Sequence, residues 1–179
     1  FQQAFPHRYF EMGIAEANMT SFAAGLALTG KVAFVNSFAV FAAGRAYDQL
    51  RQSVAIGRLN VKAVGSSAGL SDFGDGATHQ AVEDLAIMRA IPNMTVLVPA
   101  DAPQLTAMVR WMVENEGPAY LRVARNDVPE VTGENPDPIR PAVLREGADA
   151  AAVACGVMVG KALEAAELLE KENISLRVI

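Results

Sequence analysis

Apolar residues recur along this chain in two alternating rhythms. Short β-branched runs fall at Val32–Asn36, Val61–Ser66, Thr95–Pro99, Ala119–Ala124, Ala151–Cys155 and Ser175–Ile179, and each reads as a strand. Between them lie longer stretches with helical spacing: Ile14–Leu28, Phe38–Ile56, Gln80–Ala90, Pro103–Asn115 and Val157–Lys171. In the first of these, Met19, Phe22, Ala23 and Leu26 follow the i, i+3, i+4, i+7 rule and predict one buried stripe. Pro103 suits the first turn of its helix, and Gly30 suits the end of an earlier one. Strands alternating with helices predict an α/β fold, a parallel sheet between helical layers in a three-layer sandwich. Ligands in such folds sit beyond the carboxyl ends of the strands.

The rhythm breaks over Pro129–Arg145. The run "PEVTGENPDPIRPAVLR" carries four prolines and few periodic apolar residues, so it reads as a linker. We therefore expect a first domain over residues 1–128, a linker over 129–145, and the beginning of a second α/β domain over 146–179, where only a strand–helix–strand pattern follows. Neither the start, "FQQAFPHRYF", nor the end, "NISLRVI", reads as a natural domain edge, and both look like cuts through something larger.

Composition narrows the function. Half of the residues (51%) are hydrophobic and 20% are charged, which predicts a substantial core. The net charge of −5 and the absence of a basic cluster argue against a nucleic-acid surface. No apolar run is long enough to span a membrane. The single cysteine, Cys155, excludes an internal disulfide and suits the reducing cytoplasm.

Several side chains stand out. Glu16 lies on the face of the Met19 and Ala23 stripe. It either complements the dipole of its helix or is a partly buried carboxyl with a raised pKa that can share a proton with a ligand. In "VNSFAVFAAGRAYDQLR", Ser37 is a candidate N-cap. Phe38, Phe41 and Arg45 share a helical face, as core packing or as a stacking wall with an anion-binding arginine beside it. The run "SSAGLSDFGDGATHQ" is a long, small-residue loop between a strand and a helix, the kind that carries function. His79 at its end is expected at a helix N-terminus, as a cap or as a neutral imidazole for proton transfer. Gly74-Asp75-Gly76 invites a phosphate and metal reading, but no P-loop and no G-x-G-x-x-G supports it. In "GPAYLRVARND", Arg122 and Arg125 point to opposite faces of a strand end, which predicts one solvated arginine and one anion ligand.

Together, "RYFEMGIAEANM", "AAGLALTGKVAFVNSFAVFAAGRAYDQLR", "GDGATHQAVEDLAIMRAIPNMTVLVPAD" and "GPAYLRVARNDVPEV" resemble the pyrimidine-binding domain of the thiamine-diphosphate-dependent transketolase family. The tail "ACGVMVGKALEAAELLEKENISLRVI" resembles the start of that family's C-terminal domain, so the likeness is to the C-terminal section of a split transketolase. 1-Deoxyxylulose-5-phosphate synthase shares "RAYDQ" and the Gly-Asp-Gly…His pattern, and a subunit like it, or like a 2-oxoacid dehydrogenase beta chain, is the alternative. A structural or regulatory domain that has no need of Glu16, Phe41 and His79 is a third reading.

The resemblance implies a two-carbon ketol transfer from a ketose to an aldose, phosphorylated or not. It implies that Glu16 contacts N1′ of the cofactor's aminopyrimidine, that Phe41 with Phe38 forms the wall against that ring, and that Glu16 and His79 are catalytic. It implies that Asp75 and His79 meet sugar hydroxyls, that Arg125 holds substrate phosphate with help from Arg45, and that Ser67 lies in the substrate subsite. The family's metal motif pairs Gly-Asp-Gly with a downstream asparagine, but here Asn93 comes too early and Asn115 too late. Thiamine diphosphate and its Mg²⁺ (or Ca²⁺) would then be held mainly by a partner, the N-terminal transketolase section, with two copies of each chain in a heterotetramer. The chain departs from the pattern at Ser67, where many members carry histidine, and at Gly74, where they carry glutamate, so a different sugar is expected.

Overall fold

The computed structural model describes all residues, Phe1–Ile179. Four strands form a fully parallel sheet: β1 (Ala33–Phe38), β2 (Val61–Ser66), β3 (Thr95–Leu97) and β4 (Ala119–Arg122), in the spatial order β1-β2-β4-β3. The register pairs Phe38 with Ser66 and Gly65 with Arg122. The carboxyl ends of β1, β2 and β4 therefore lie side by side. This is the arrangement expected of strands joined by crossover helices, and the helices occupy both faces of the sheet.

Helix α1 (Glu16–Leu28) precedes β1 and packs against it. The stripe read from the sequence faces the core except at Phe22. Ala23 and Ala24 are buried, but Phe22 is half exposed and meets Phe10 edge-on at 5.0 Å. Met19 and Leu26 pack against the same core cluster as Ala23 and Ala24, so Phe22 alone of the expected stripe is left outside.

The expected long helix over residues 38–56 is broken. Helix α2 (Ala39–Gly44) stops at Arg45, α3 (Tyr47–Gln49) is a single turn, and Leu50–Ala55 continues as a π-helical turn. Ser37 is not its cap. It remains in β1, Phe38 takes the N-cap position, and the Ser37 hydroxyl is engaged elsewhere. The helix expected from Gln80 also shrinks, to α4 (Asp84–Arg89).

Helix α5 (Ala102–Glu114) is well specified locally. Asp101 caps it by accepting from Gln104 N at 3.0 Å, Pro103 sits in the first turn, and the Gln104 side chain accepts from Ala100 N at 2.8 Å. Asp101 also accepts from the Val131 and Thr132 backbone N–H groups at 2.7 Å each and from the Thr132 hydroxyl at 2.6 Å. One buried carboxylate thus starts a helix and anchors the irregular segment that follows β4. At the other end of α5, Lys62 of β2 is fully buried and donates to the Asn115 and Gly117 carbonyls at 2.8 and 2.6 Å. Burial lowers its pKa, and the two carbonyls supply the partners that a buried ammonium needs.

Beyond the irregular stretch, β5 (Ala150–Ala152), α6 (Met158–Glu170) and β6 (Leu176–Val178) form a parallel strand–helix–strand unit. No helix is long and apolar enough to cross a membrane.

Candidate functional site

Glu16 opens α1 and is buried, with 6% of its surface exposed. Its carboxylate accepts from the Ser37 hydroxyl at 3.1 Å and from Arg45 at 3.3 Å. Three elements converge on this one side chain: the start of α1, the carboxyl end of β1 and the end of α2. Burial pushes its pKa up. The Glu16 backbone N–H, the Ser37 hydroxyl and Arg45 outweigh burial and leave the pKa below the ordinary glutamate value. Of the two readings left open by the sequence, the raised pKa is not the one found: Glu16 opens the first turn of α1 and its pKa is lowered.

Beside it stands an aromatic group. The Phe38 and Phe41 rings are stacked, 6.2 Å apart with planes 12° from parallel. Arg45 lies over the outer face of Phe41 at 4.1 Å, a cation–π contact. His79 meets Phe41 edge-on at 5.2 Å and Phe38 at 5.9 Å. The half-buried phenyl pair thus has a cation over Phe41 and an imidazole edge-on to both rings. Arg45 reaches Phe41 by helical i, i+4 spacing, since it keeps helical backbone and its N–H still donates to Phe41 O at 3.0 Å.

His79 does not stand at a helix N-terminus. It follows a 3-10 turn, Gly76–Thr78, and α4 begins five residues later. Its backbone N–H donates to Gly76 O at 3.0 Å, and its Nδ1 shares a 2.9 Å hydrogen bond with the Thr78 hydroxyl. The turn orients this histidine; no helix dipole does. Gly76 supplies the left-handed backbone (φ +73°) with which the turn begins.

The remaining candidates lie in the loop between β2 and α4 and beside it. Ser67 is buried in a left-handed conformation (φ +52°), directly after Ser66, whose hydroxyl donates to Ser37 O at 3.1 Å. Asp75 is exposed, and its side chain has no protein partner. Arg125 is not free. Its guanidinium donates to Asp72 at 3.0 Å, and its backbone N–H donates to the Ser71 hydroxyl at 3.1 Å. The Asp72 carboxylate is fully buried while Arg125 remains 60% exposed, so most of its donors still face outward. Arg122 is not solvated either, since it is paired with buried Asp84 at 2.9 Å. Of the two strand-end arginines, Arg125 is thus the more solvated, and each meets a buried carboxylate.

The structure thus gathers Glu16, Phe38, Phe41, Arg45 and His79 into one cluster and leaves Ser67, Asp75 and Arg125 along the adjoining loop. Sequence reading missed Asp72, Asp84 and Tyr120. Asp72 lies 53 residues from its arginine and Asp84 lies 38 from its own, and no local pattern signals such pairs. A cleft of about 310 Å³ also lies between the end of β3, the irregular segment and the second unit. Its lining is mostly apolar and includes none of these residues, so chemistry favours the Glu16 cluster. No three His, Cys, Asp or Glu side chains converge as a metal site.

Comparisons with known proteins agree with this geometry. Residues 1–131 match the transketolase pyrimidine binding domain, and residues 141–179 match the transketolase C-terminal domain. The chain is 43% identical, over its whole length, to a 6-deoxy-6-sulfo-D-fructose transketolase subunit of Clostridium sp. (strain MSTE9), of which it covers 56%. It is also 43% identical to the 1-deoxy-D-xylulose-5-phosphate synthase of Symbiobacterium thermophilum, covering 28% of that protein. Among solved structures it resembles a split-gene transketolase described as an inactive β4 tetramer, with TM-score 0.89, 50% identity, 99% of this chain and 58% of the other. The chain thus spans little more than half the length of the split relatives it matches.

Proposed function

The chain belongs to the transketolase family, and from that premise we propose that it supplies the pyrimidine-side half of a thiamine-diphosphate site completed by a partner section. The observation that carries this reading is the buried Glu16 carboxylate beside the stacked Phe38–Phe41 pair. A buried acceptor next to a flat apolar wall fits the polar edge and the face of an aminopyrimidine. When bound, thiamine diphosphate supplies the carbon nucleophile that carries a two-carbon ketol unit from ketose to aldose.

The work of this chain's residues follows from their chemistry. Glu16, ionised in the free chain, would accept a hydrogen bond from pyrimidine N1′ once that nitrogen has taken up a proton from solvent. Ser37 orients its other oxygen. The Arg45 contact is long and comes from a half-exposed side chain, so it can yield that oxygen to the ring. Phe41 and Phe38 exclude water from the ring face. His79, steadied by Thr78, holds or moves a proton at a substrate oxygen. Asp75 meets sugar hydroxyls. The outward donors of Arg125 take an anionic substituent, with Arg45 assisting, and Ser67 borders this subsite.

The diphosphate and a Mg²⁺ or Ca²⁺ ion fall to the partner, an N-terminal section, because this chain has no phosphate cradle of its own. The description of the 50%-identical relative as an inactive β4 tetramer supports dependence on that partner. Two copies of each chain in a heterotetramer, acting on sugar phosphates or related acidic sugars in the cytoplasm, complete the reading. Residues 1–128, 129–145 and 146–179 serve as pyrimidine domain, linker and start of the C-terminal domain.

Co-expression with an N-terminal transketolase section tests the proposal. The complex should transfer a two-carbon unit between a ketose and an aldose, and neither chain should do so alone. Decarboxylation of pyruvate in place of ketol transfer would move the assignment to a 1-deoxyxylulose-5-phosphate synthase-like enzyme, which the 43% relative keeps in view.

A further inference from the structure

The loop that carries His79 is closed by a buried polar network lying outside the cluster it serves. At its neck, Gly69 N donates to Ala81 O at 2.9 Å, and Ala68 and Ala81 form a parallel bridge. Arg122, at the carboxyl end of β4, reaches this neck. Its Nη2 donates to the same Ala81 O at 3.2 Å, and its Nε donates to Asp84 Oδ2 at 2.9 Å. Tyr120, two residues earlier on the same strand face, donates to that oxygen at 2.8 Å. The Tyr120 ring reaches Asp84 only because β2 carries Gly65 where they cross, since a Cβ there would collide with the phenol. Gly69 is matched in the same way: its left-handed backbone (φ +66°) runs so close to Arg122 that a Cβ would stand 3.0 Å from Nη2.

These groups are locked. Asp84 and Tyr120 are buried to within 1% of their surface, and the Arg122 side chain is 18% exposed. Burial and the Asp84 carboxylate both push the Tyr120 phenol up, so it stays a donor. Asp84 Oδ2 takes two donors while Oδ1 has none, so Arg122 and Tyr120 are the partners that satisfy this buried side chain. An arginine is needed here because its planar fork serves a carboxylate and a carbonyl at once, which an ammonium on a flexible stem does not do.

We propose that Arg122, held by Asp84 and Tyr120, is a positioning residue that latches the neck of the 69–81 loop and so sets His79 against Phe38 and Phe41. The latch acts two residues from His79, and between them the loop has only Gln80 with which to absorb a displacement. The inference rests on the reading of His79 as a site residue, but its test does not depend on catalysis. The chain has two histidines, His7 and His79, so His7→Gln leaves one imidazole to observe by proton NMR. In that background the His79 ring protons are displaced from free-histidine positions by the currents of two phenyl rings. Arg122→Lys keeps the charge and removes the fork. The fold, followed by circular dichroism and melting, should survive, and the ring-current displacement of His79 should collapse toward the free value. Tyr120→Phe, which removes one donor to Asp84, should give a smaller change in the same direction. If Arg122→Lys unfolds the chain, Tyr120→Phe alone decides. In the complex with an N-terminal section, Arg122→Lys should lower kcat/KM by about tenfold or more, with thiamine diphosphate affinity unchanged. Folded variants with His79 at its wild-type shifts would overturn the latch. Collapsed shifts with unaltered turnover would keep the latch and remove His79 from the mechanism.

Discussion

The two walls of the candidate site are built differently. The first is made of Glu16, Ser37, Phe38, Phe41 and Arg45, which stand on the ends of α1, β1 and α2 within two short stretches of sequence. The second is the loop of Ser67, Asp75 and His79 with Arg125 beside it, held by side chains from distant segments: Arg122 at its neck and Asp72 against Arg125. A site on element ends inherits the rigidity of the sheet, whereas a site on a loop is only as rigid as its anchors. The first wall therefore suits a task that cannot vary, holding one cofactor. The second suits a task that can, choosing a sugar. The names of the relatives are consistent with this division, since proteins similar along the whole of this chain act on sulfo-sugar, apulose phosphate and deoxyxylulose phosphate chemistry.

The comparison can be broken by mutation. The largest effect belongs to the first wall. Glu16→Gln in the reconstituted complex should lower kcat by about 10²–10⁴-fold for every sugar pair, the range of a lost proton-holding group, while the melting temperature stays close to wild type. A loss confined to one sugar would place Glu16 in the specificity wall and break the division. An intermediate effect belongs to the second wall. Arg125→Ala should raise KM about tenfold to a hundredfold for a phosphorylated sugar, the equivalent of a lost hydrogen bond to a charged group. Its effect on the unphosphorylated counterpart should be small, as read in paired steady-state assays. Equal losses for both would make Arg125 a scaffold for the loop.

The smallest effect is on stability. Because the Glu16 pKa is lowered in the folded chain, its stabilising contribution is complete above the ordinary glutamate pKa and is lost as pH falls through the lower folded value. Melting curves across the acid range should show the advantage of wild type over Glu16→Gln shrinking on acidification. An advantage that grows toward acid would mean a raised pKa and a protonated Glu16.

The same contrast decides what could be read from the sequence. The strand–helix alternation, the parallel sheet and the strand-end location of the cluster all follow from periodicity, because a buried strand and a crossover helix each leave a local signature. Phe38, Phe41 and Arg45 were legible as neighbours because their spacing is helical over the first turns. The break after Gly44 was not legible, since nothing in "AAGRAYDQL" forbids a continuous helix, and it is tertiary contact with Glu16 and Phe41 that holds Arg45 in place. The direction of the Glu16 shift stayed open in the sequence for a related reason. Burial could be inferred from the helical face, but the Ser37 and Arg45 partners that outweigh it come from 21 and 29 residues away. His79 was misplaced because α4 begins only at Asp84, whose side chain is held in the core by Tyr120 and Arg122. Asp72 and Asp84 look like ordinary loop and first-turn acids in sequence. Only the sheet order, which brings β4 beside β2, turns them into anchors.

The central claim is that this chain holds one half of the cofactor and depends on a partner for the other. Calorimetric titration of the chain alone with thiamine diphosphate and Mg²⁺, and then of its complex with an N-terminal section, tests it most directly. The chain alone should give no measurable heat of binding, and the complex should show saturable, Mg²⁺-dependent binding that Phe41→Ala weakens. Tight, Mg²⁺-dependent binding by the chain alone would contradict it.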